Sequence, residues 1–233
     1  MIANPIDDIS KSESLSERIT NFRNDRIAKI VADETPVSLE PGVKIVLHFL
    51  PFVSFDRTTQ IDIRSIEKQV NPMPMKVQGG SAARYNFDGH LRHDIPVNNT
   101  CLSYLQIFRR GEIESVRVYF QNDGKVIDDV FYEKAITYAV QQYLEAAKNW
   151  GVSPPFLVLL SLLNVKGYKV STRFNYYDLR IDRDYLFLPD ILVEEYDVEV
   201  SKLVRPAFDA LWQASGWDGS QNYDENGNWV NRR

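Results

Sequence analysis

Two short runs constrain the fold more than any other part of this chain. "KIVLHFLP" (44–51) is apolar on both alternating faces apart from His48, which suits a β-strand covered on two sides, with His48 as a hydrogen-bonded core residue. "FLVLLSLL" (156–163) is apolar throughout and bounded by Pro155 and Asn164. It reads as a buried strand, although a run of eight residues fits a helix equally well by periodicity. "YLQIFRRGEIESVRVYF" (104–120) has the form of a hairpin turning at Arg110 and Gly111, and "YLFL" and "ILVEEY" offer further strands.

Three segments carry helical periodicity. The first, "SLSERITNFRNDRIAKIVADETP", has Ser14 or Ser16 as cap, a stripe of Leu15, Ile19, Phe22, Ile27 and Ile30, and Pro36 soon after its end. The second starts after Asp128 and Asp129, follows Tyr132, Ile136, Ala139, Val140, Tyr143, Ala147 and Trp150, and stops at Gly151. The third is "PAFDALWQAS" (206–215), with Pro206 in its first turn and Gly216 past its end. Strands therefore come in groups and do not alternate strictly with helices. That order predicts an α+β fold, a mainly antiparallel β-sheet packed by about three helices in a single domain. The expected organisation is a flexible tail over 1–13, the α+β domain over 14–217, and an aromatic-rich tail with a turn over 218–233. The polar stretch 56–81, with "NPMPM" and "GG", reads as a loop around a short element at 61–69.

The 233 residues are enough for a sizeable core without a staple. No apolar run approaches the roughly 18 residues of a membrane span, the start is polar and acidic, and the lone Cys101 has no disulfide partner within the chain. These features predict a cytoplasmic protein with no membrane association. A formal net charge of −5 argues against nucleic acid as the principal partner of the whole surface. The eight carboxylates between Asp178 and Glu199, against Arg180 and Arg183 alone, make that face repel phosphate.

Three stretches invite a chemical reading. "NYDENG" (222–227) has the alternating Asn222, Asp224, Asn226 and the Gly227 of a calcium loop, but its twelfth position falls on Arg233 in place of a bidentate glutamate. A tight turn at Asn226–Gly227 that brings Tyr223 toward Trp229 is the better expectation. "DGHLRHD" (88–94) spaces His90 and His93 three apart, which on a strand sends them to opposite faces, so a solvated loop without a metal is expected. "LPDILVEEYDVEVSK" is near the paired-carboxylate and lysine signature of metal-dependent nucleases, yet Lys202 is three residues from Glu199 where the signature wants two. No catalytic set, metal site or cofactor is therefore assigned. Arg23 and Arg26 fall inside the apolar stripe of the first helix, where each guanidinium needs a carboxylate or phosphate from this chain or a partner. With Trp217, Tyr223 and Trp229 of the tail they are the candidate partner- or ligand-contact residues.

"ERITNFRNDRIAKIVADETPVSL" with "KIVLHFLP", then "RYNFDG" with "YLQIFRRGEIE", and finally "RPAFDALWQASGWDGSQNYDENGNW" together resemble the C-terminal region of bacterial proteins whose N-terminal half is a Schlafen-like, AlbA-type domain. Those proteins are associated with ATP binding or DNA binding and with regulation. The half that carries these activities has no counterpart in these residues, so neither activity passes to any position here. The resemblance implies a non-catalytic sensor, scaffold or assembly module, working with an AlbA-type domain protein in trans or by self-association and reaching nucleic acid only through a partner. The alternative is an accessory protein to nucleic-acid or metal-dependent phosphodiester hydrolysis.

Overall fold

Ser14 starts the first helix because its hydroxyl accepts the Glu17 amide while the Glu17 carboxylate accepts the Ser14 amide. This reciprocal box satisfies two otherwise unpaired donors, and α1 (Leu15–Val31) follows. The computed structural model describes residues 13–56, 58–68, 72–75, 80–119, 124–171 and 178–230. In chain order the strands are β1 (Val43–Pro51), β2 (Ser81–Tyr85), β3 (Gly89–Asp94), β4 (Ser103–Phe108), β5 (Ile113–Tyr119), β6 (Val126–Ile127), β7 (Phe156–Leu163), β8 (Lys169–Val170), β9 (Tyr185–Phe187) and β10 (Ile191–Val193). The remaining helices are α2 (Asp129–Asn149), the single turn α3 (Val200–Leu203) and α4 (Arg205–Ala214).

Eight strands form one antiparallel sheet in the order β10-β7-β1-β5-β4-β3-β2, with β9 also paired to β7. Short β6 and β8 pair in parallel apart from it. The two apolar runs are neighbours at its centre, Val46 opposite Ser161 and His48 opposite Leu159. Alternation along β1 sends Val43, Ile45, Leu47 and Phe49 into the main core with Ile136 and Tyr143 of α2 and Phe208 of α4. It sends Val46 and Leu50 the other way, against Ile27, Ile30 and Ile19 of α1. Every residue of β1 is buried because both faces carry a helical layer. The chain is thus a single α+β domain, and no helix among the described residues is long and apolar enough to cross a membrane.

Two expectations fail here. "GHLRHD" is not a solvated loop but strand β3, inside the sheet between β2 and β4, with His90 and Asp94 buried. The Asp94 carboxylate accepts the backbone amides of Leu102 and Ser103, so hydrogen bonds replace hydrophobicity there. Met75, within the polar loop reading of 56–81, is a core residue whose amide donates to Ser115 Oγ.

Candidate functional site

Strand β5 carries Glu114 on the face beneath α1, across from His48 of β1 and beside Gln106 of β4. A carboxylate in that apolar layer needs donors, and three elements supply them. Arg26 of α1 is bidentate, Nε to Oε2 at 2.9 Å and Nη2 to Oε1 at 2.7 Å. Tyr104 of β4 donates its hydroxyl to Oε1 at 2.8 Å, and His48 Nε2 lies 3.0 Å from Oε2. Since a carboxylate only accepts, that imidazole nitrogen carries the proton. Phe22 meets the His48 ring edge-on at 5.6 Å, and the Arg26 guanidinium lies over Phe108 at 5.2 Å, which closes the cluster to solvent. Burial pushes the Glu114 carboxyl up, but the bonds from Arg26 and His48 outweigh it and hold the group down at about 2. For Tyr104, burial and then the Glu114 charge raise the phenol well above its ordinary value.

A second carboxylate, Glu133 of α2, anchors the C-terminal segment. Its Oε1 accepts from Trp212 Nε1 (3.0 Å) and Ser220 Oγ (2.6 Å). Its Oε2 accepts from Asn222 Nδ2 (3.1 Å) and Trp229 Nε1 (2.7 Å). One turn earlier, Asp129 accepts from Asn222 Nδ2 at 2.9 Å and from Ser171 Oγ at 2.5 Å. Burial raises the Glu133 carboxyl above the usual range against the pull of these donors. Gly216 lets the chain reverse after α4 at φ +79°, and a Cβ there would lie 2.9 Å from Leu179.

The five candidate contact residues are all engaged within the chain. Arg23 pairs with Asp190 at 3.0 Å and stacks over Phe187, so the acidic 178–199 region holds Arg23 while Glu114 holds Arg26. Trp217 packs on Trp212, and Tyr223 is buried with its hydroxyl on the Ser201 carbonyl. Tyr223 and Trp229 form the expected antiparallel bridge, and Trp229 lies under Lys134 and on Glu133. In "NYDENG", Asp224 accepts the amides of Asn226 and Asn228, so its carboxylate shapes the turn. Arg23 has a half-exposed partner, and Arg23→Ala should change stability by no more than about 1 kcal/mol in a denaturant titration.

The remaining chemical candidates do not converge. His90 lies opposite Ile107 and His93 opposite Tyr104, hence on opposite faces of β3. Asp190 turns to α1, whereas Glu199 and Lys202 pair with each other at 2.9 Å. Among the described residues no three His, Cys, Asp or Glu side chains group as a metal site. Burial raises the Cys101 thiol to about 11, which keeps it protonated and unreactive. A shallow groove of about 450 Å³ between α2 and the segment before α3 is lined by Leu144, Glu145, Lys148, Tyr196 and Asp197, and no residue of either cluster borders it.

Sequence reasoning missed Glu114 and Glu133. Glu114 is the acid beside Val116 and Val118 on its face of β5, and Glu133 with Asp129 interrupts the apolar stripe of α2, the mirror image of the signal that singled out Arg26. Compared with known proteins, the chain matches no family model, no curated protein and no solved structure.

Proposed function

We propose that this chain is a non-catalytic assembly module, a rigid sheet that holds a protein partner. The observation that supports this reading is the saturation of its two buried glutamates. Each oxygen of Glu114 and of Glu133 accepts two hydrogen bonds from the chain itself. A carboxylate has about four acceptor sites in all, so while ionised and fully bonded neither has a lone pair free for a substrate's proton, which a general base must reach. Both act as ties, Glu114 between α1 and the sheet and Glu133 between α2, α4 and the C-terminal segment. Exposed large apolar side chains lie instead at the sheet's two edges, Tyr85 and Phe87 at one and Tyr185, Phe187 and Leu192 at the other.

The resemblance to the C-terminal region of AlbA-type proteins names the class of partner, an AlbA-type domain in trans or a second copy of the chain. With a net charge of −5, contact with nucleic acid passes through that partner. Sedimentation velocity of the chain alone and mixed with a separately produced AlbA-type domain tests the reading, alongside a phosphodiester hydrolysis assay with Mg²⁺. Association without turnover is expected. A chain that stays monomeric in both experiments and hydrolyses the phosphodiester would overturn it.

A further inference from the structure

The outer strand β2 leaves its backbone unpaired in a defined register. Asn86 and Gly89 exchange both amide bonds at the end of the β2–β3 ladder, and at its other end the Ile95 amide donates to the Gly80 carbonyl. Stepping by two from either end, Ala82 and Arg84 turn their N–H and C=O groups toward β3. Ser81, Ala83 and Tyr85 turn theirs outward, where no strand among the described residues meets them.

Natural edges are blunted by shortness, proline, lysine or bulges. The opposite edge follows this rule, because β9 and β10 have three residues each and Pro189 and Asp190 separate them. β2 has five residues in unbroken register, two of them alanine, and the Arg84 guanidinium is drawn back to the Pro36 carbonyl. The strand's two ends are also apolar. Tyr85 and the 92 %-exposed Phe87 mark one, Ile95 and Val97 the other.

We infer that this edge, on the assembly reading above, joins a second copy of the chain by antiparallel β2–β2 pairing about a two-fold axis at Ala83. A two-fold interface must be self-complementary, and this one is. Ala83 faces its own copy as a hydrogen-bonded pair, Ser81 faces Tyr85, and Ala82 faces Arg84, so no like charges lie opposite. Reversal brings the Tyr85–Phe87 end of one copy to the Ile95–Val97 end of the other. Aromatic side chains offer about 150–250 Å² each, so covering the exposed parts of these four residues on both copies, with the strand edge, removes on the order of 1,000 Å² from water. That is the lower bound for a specific interface, so the pairing is a weak one that high protein concentration must drive.

A charge swap at the axis tests both the pairing and its register. Sedimentation equilibrium should show the wild-type chain dimerising, and Ala83→Lys and Ala83→Glu each weakened at least tenfold with unchanged melting temperatures. Mixing the two variants should restore a dimer, because opposite charges then face across the axis. A wild-type chain that is still monomeric at about 1 mM, where even weak pairs associate, would overturn the inference. So would variants that dimerise as well as the wild type, or a mixture that fails to rescue. An AlbA-type domain that binds the Ala83→Lys chain normally separates failure of this pairing from failure of the assembly reading.

Discussion

Replacing Arg26 by alanine should destabilise the domain by about 3 kcal/mol, because it removes the bidentate partner of a carboxylate with no solvent exposure. His48 and Tyr104 remain on Glu114 and place the loss at the low end for a broken buried pair. Removing both charges is a different experiment. Arg26→Met combined with Glu114→Leu should recover only part of the loss, since neither ion is then stranded but the buried His48 and Tyr104 donors lose their acceptor. Urea titrations of Arg26→Met, Glu114→Leu and the double variant close the cycle. The pair also sets an acid limb. The Glu114 carboxyl is held down from 4.5 to about 2, so its contribution is complete above about 4.5 and is lost as the pH falls from there toward 2. Glu133 works with the opposite sign. Its carboxyl is raised by burial, so the fold is favoured while the group is protonated and loses stability as the pH rises through that raised value. Glu114→Gln should therefore flatten the acid limb, and Glu133→Gln should remove a decline that begins at the ordinary carboxylate value and ends at the raised one.

Ending the chain after Gly216 should lower the unfolding midpoint by about 10 °C or more. The deletion uncovers the main core where Trp217, Tyr223 and Trp229 pack, and it takes three of the four donors from Glu133. Stranding a buried carboxylate costs about 1–3 kcal/mol or more, and the lost aromatic burial adds a few kcal/mol at roughly 25 cal/mol per Å². Each kcal/mol is worth roughly 2–4 °C in a chain of this size. Glu133→Leu in the shortened chain should regain part of the loss, whereas in the full chain it strands four donors and should be harmful. Differential scanning calorimetry of these variants separates the carboxylate from the apolar contribution.

The frame of the fold was legible because each signal was local. The cap at Ser14 or Ser16, the doubly apolar run of β1, the acidic start of α2 at Asp128 and Asp129 and the Asn226–Gly227 turn each declare themselves within a few residues, whereas the run of β7 fits a helix as well. The polar strand β3 did not, because Asp94 is tolerated inside the sheet by the amides of Leu102 and Ser103 and His90 by an edge contact with Tyr85, none of which a hydrophobic pattern records. β2, as "SAARY", has no hydrophobic alternation and is a strand through its pairing with β3 alone. The ties were half visible. Arg23 and Arg26 announced a need for acids, but Glu114 lies 88 residues from Arg26, and Trp229 lies 96 residues from Glu133. Such pairs are created by topology, and a one-dimensional pattern records only that each member is out of place.

In the proposed assembly role the buried ionisable groups hold the fold together while the sheet edges meet partners. Hydrogen exchange read by mass spectrometry tests it most directly, on the chain at low and high concentration, with an AlbA-type domain, and with Mg²⁺ and DNA. Amides around Glu114 and Glu133 should exchange slowly in every condition, and added protection should appear on β2 or on β9–β10 with concentration or with the protein partner. Edges that gain no protection from either protein, with Mg²⁺ or DNA instead altering exchange around Glu114 or Glu133, would contradict that role.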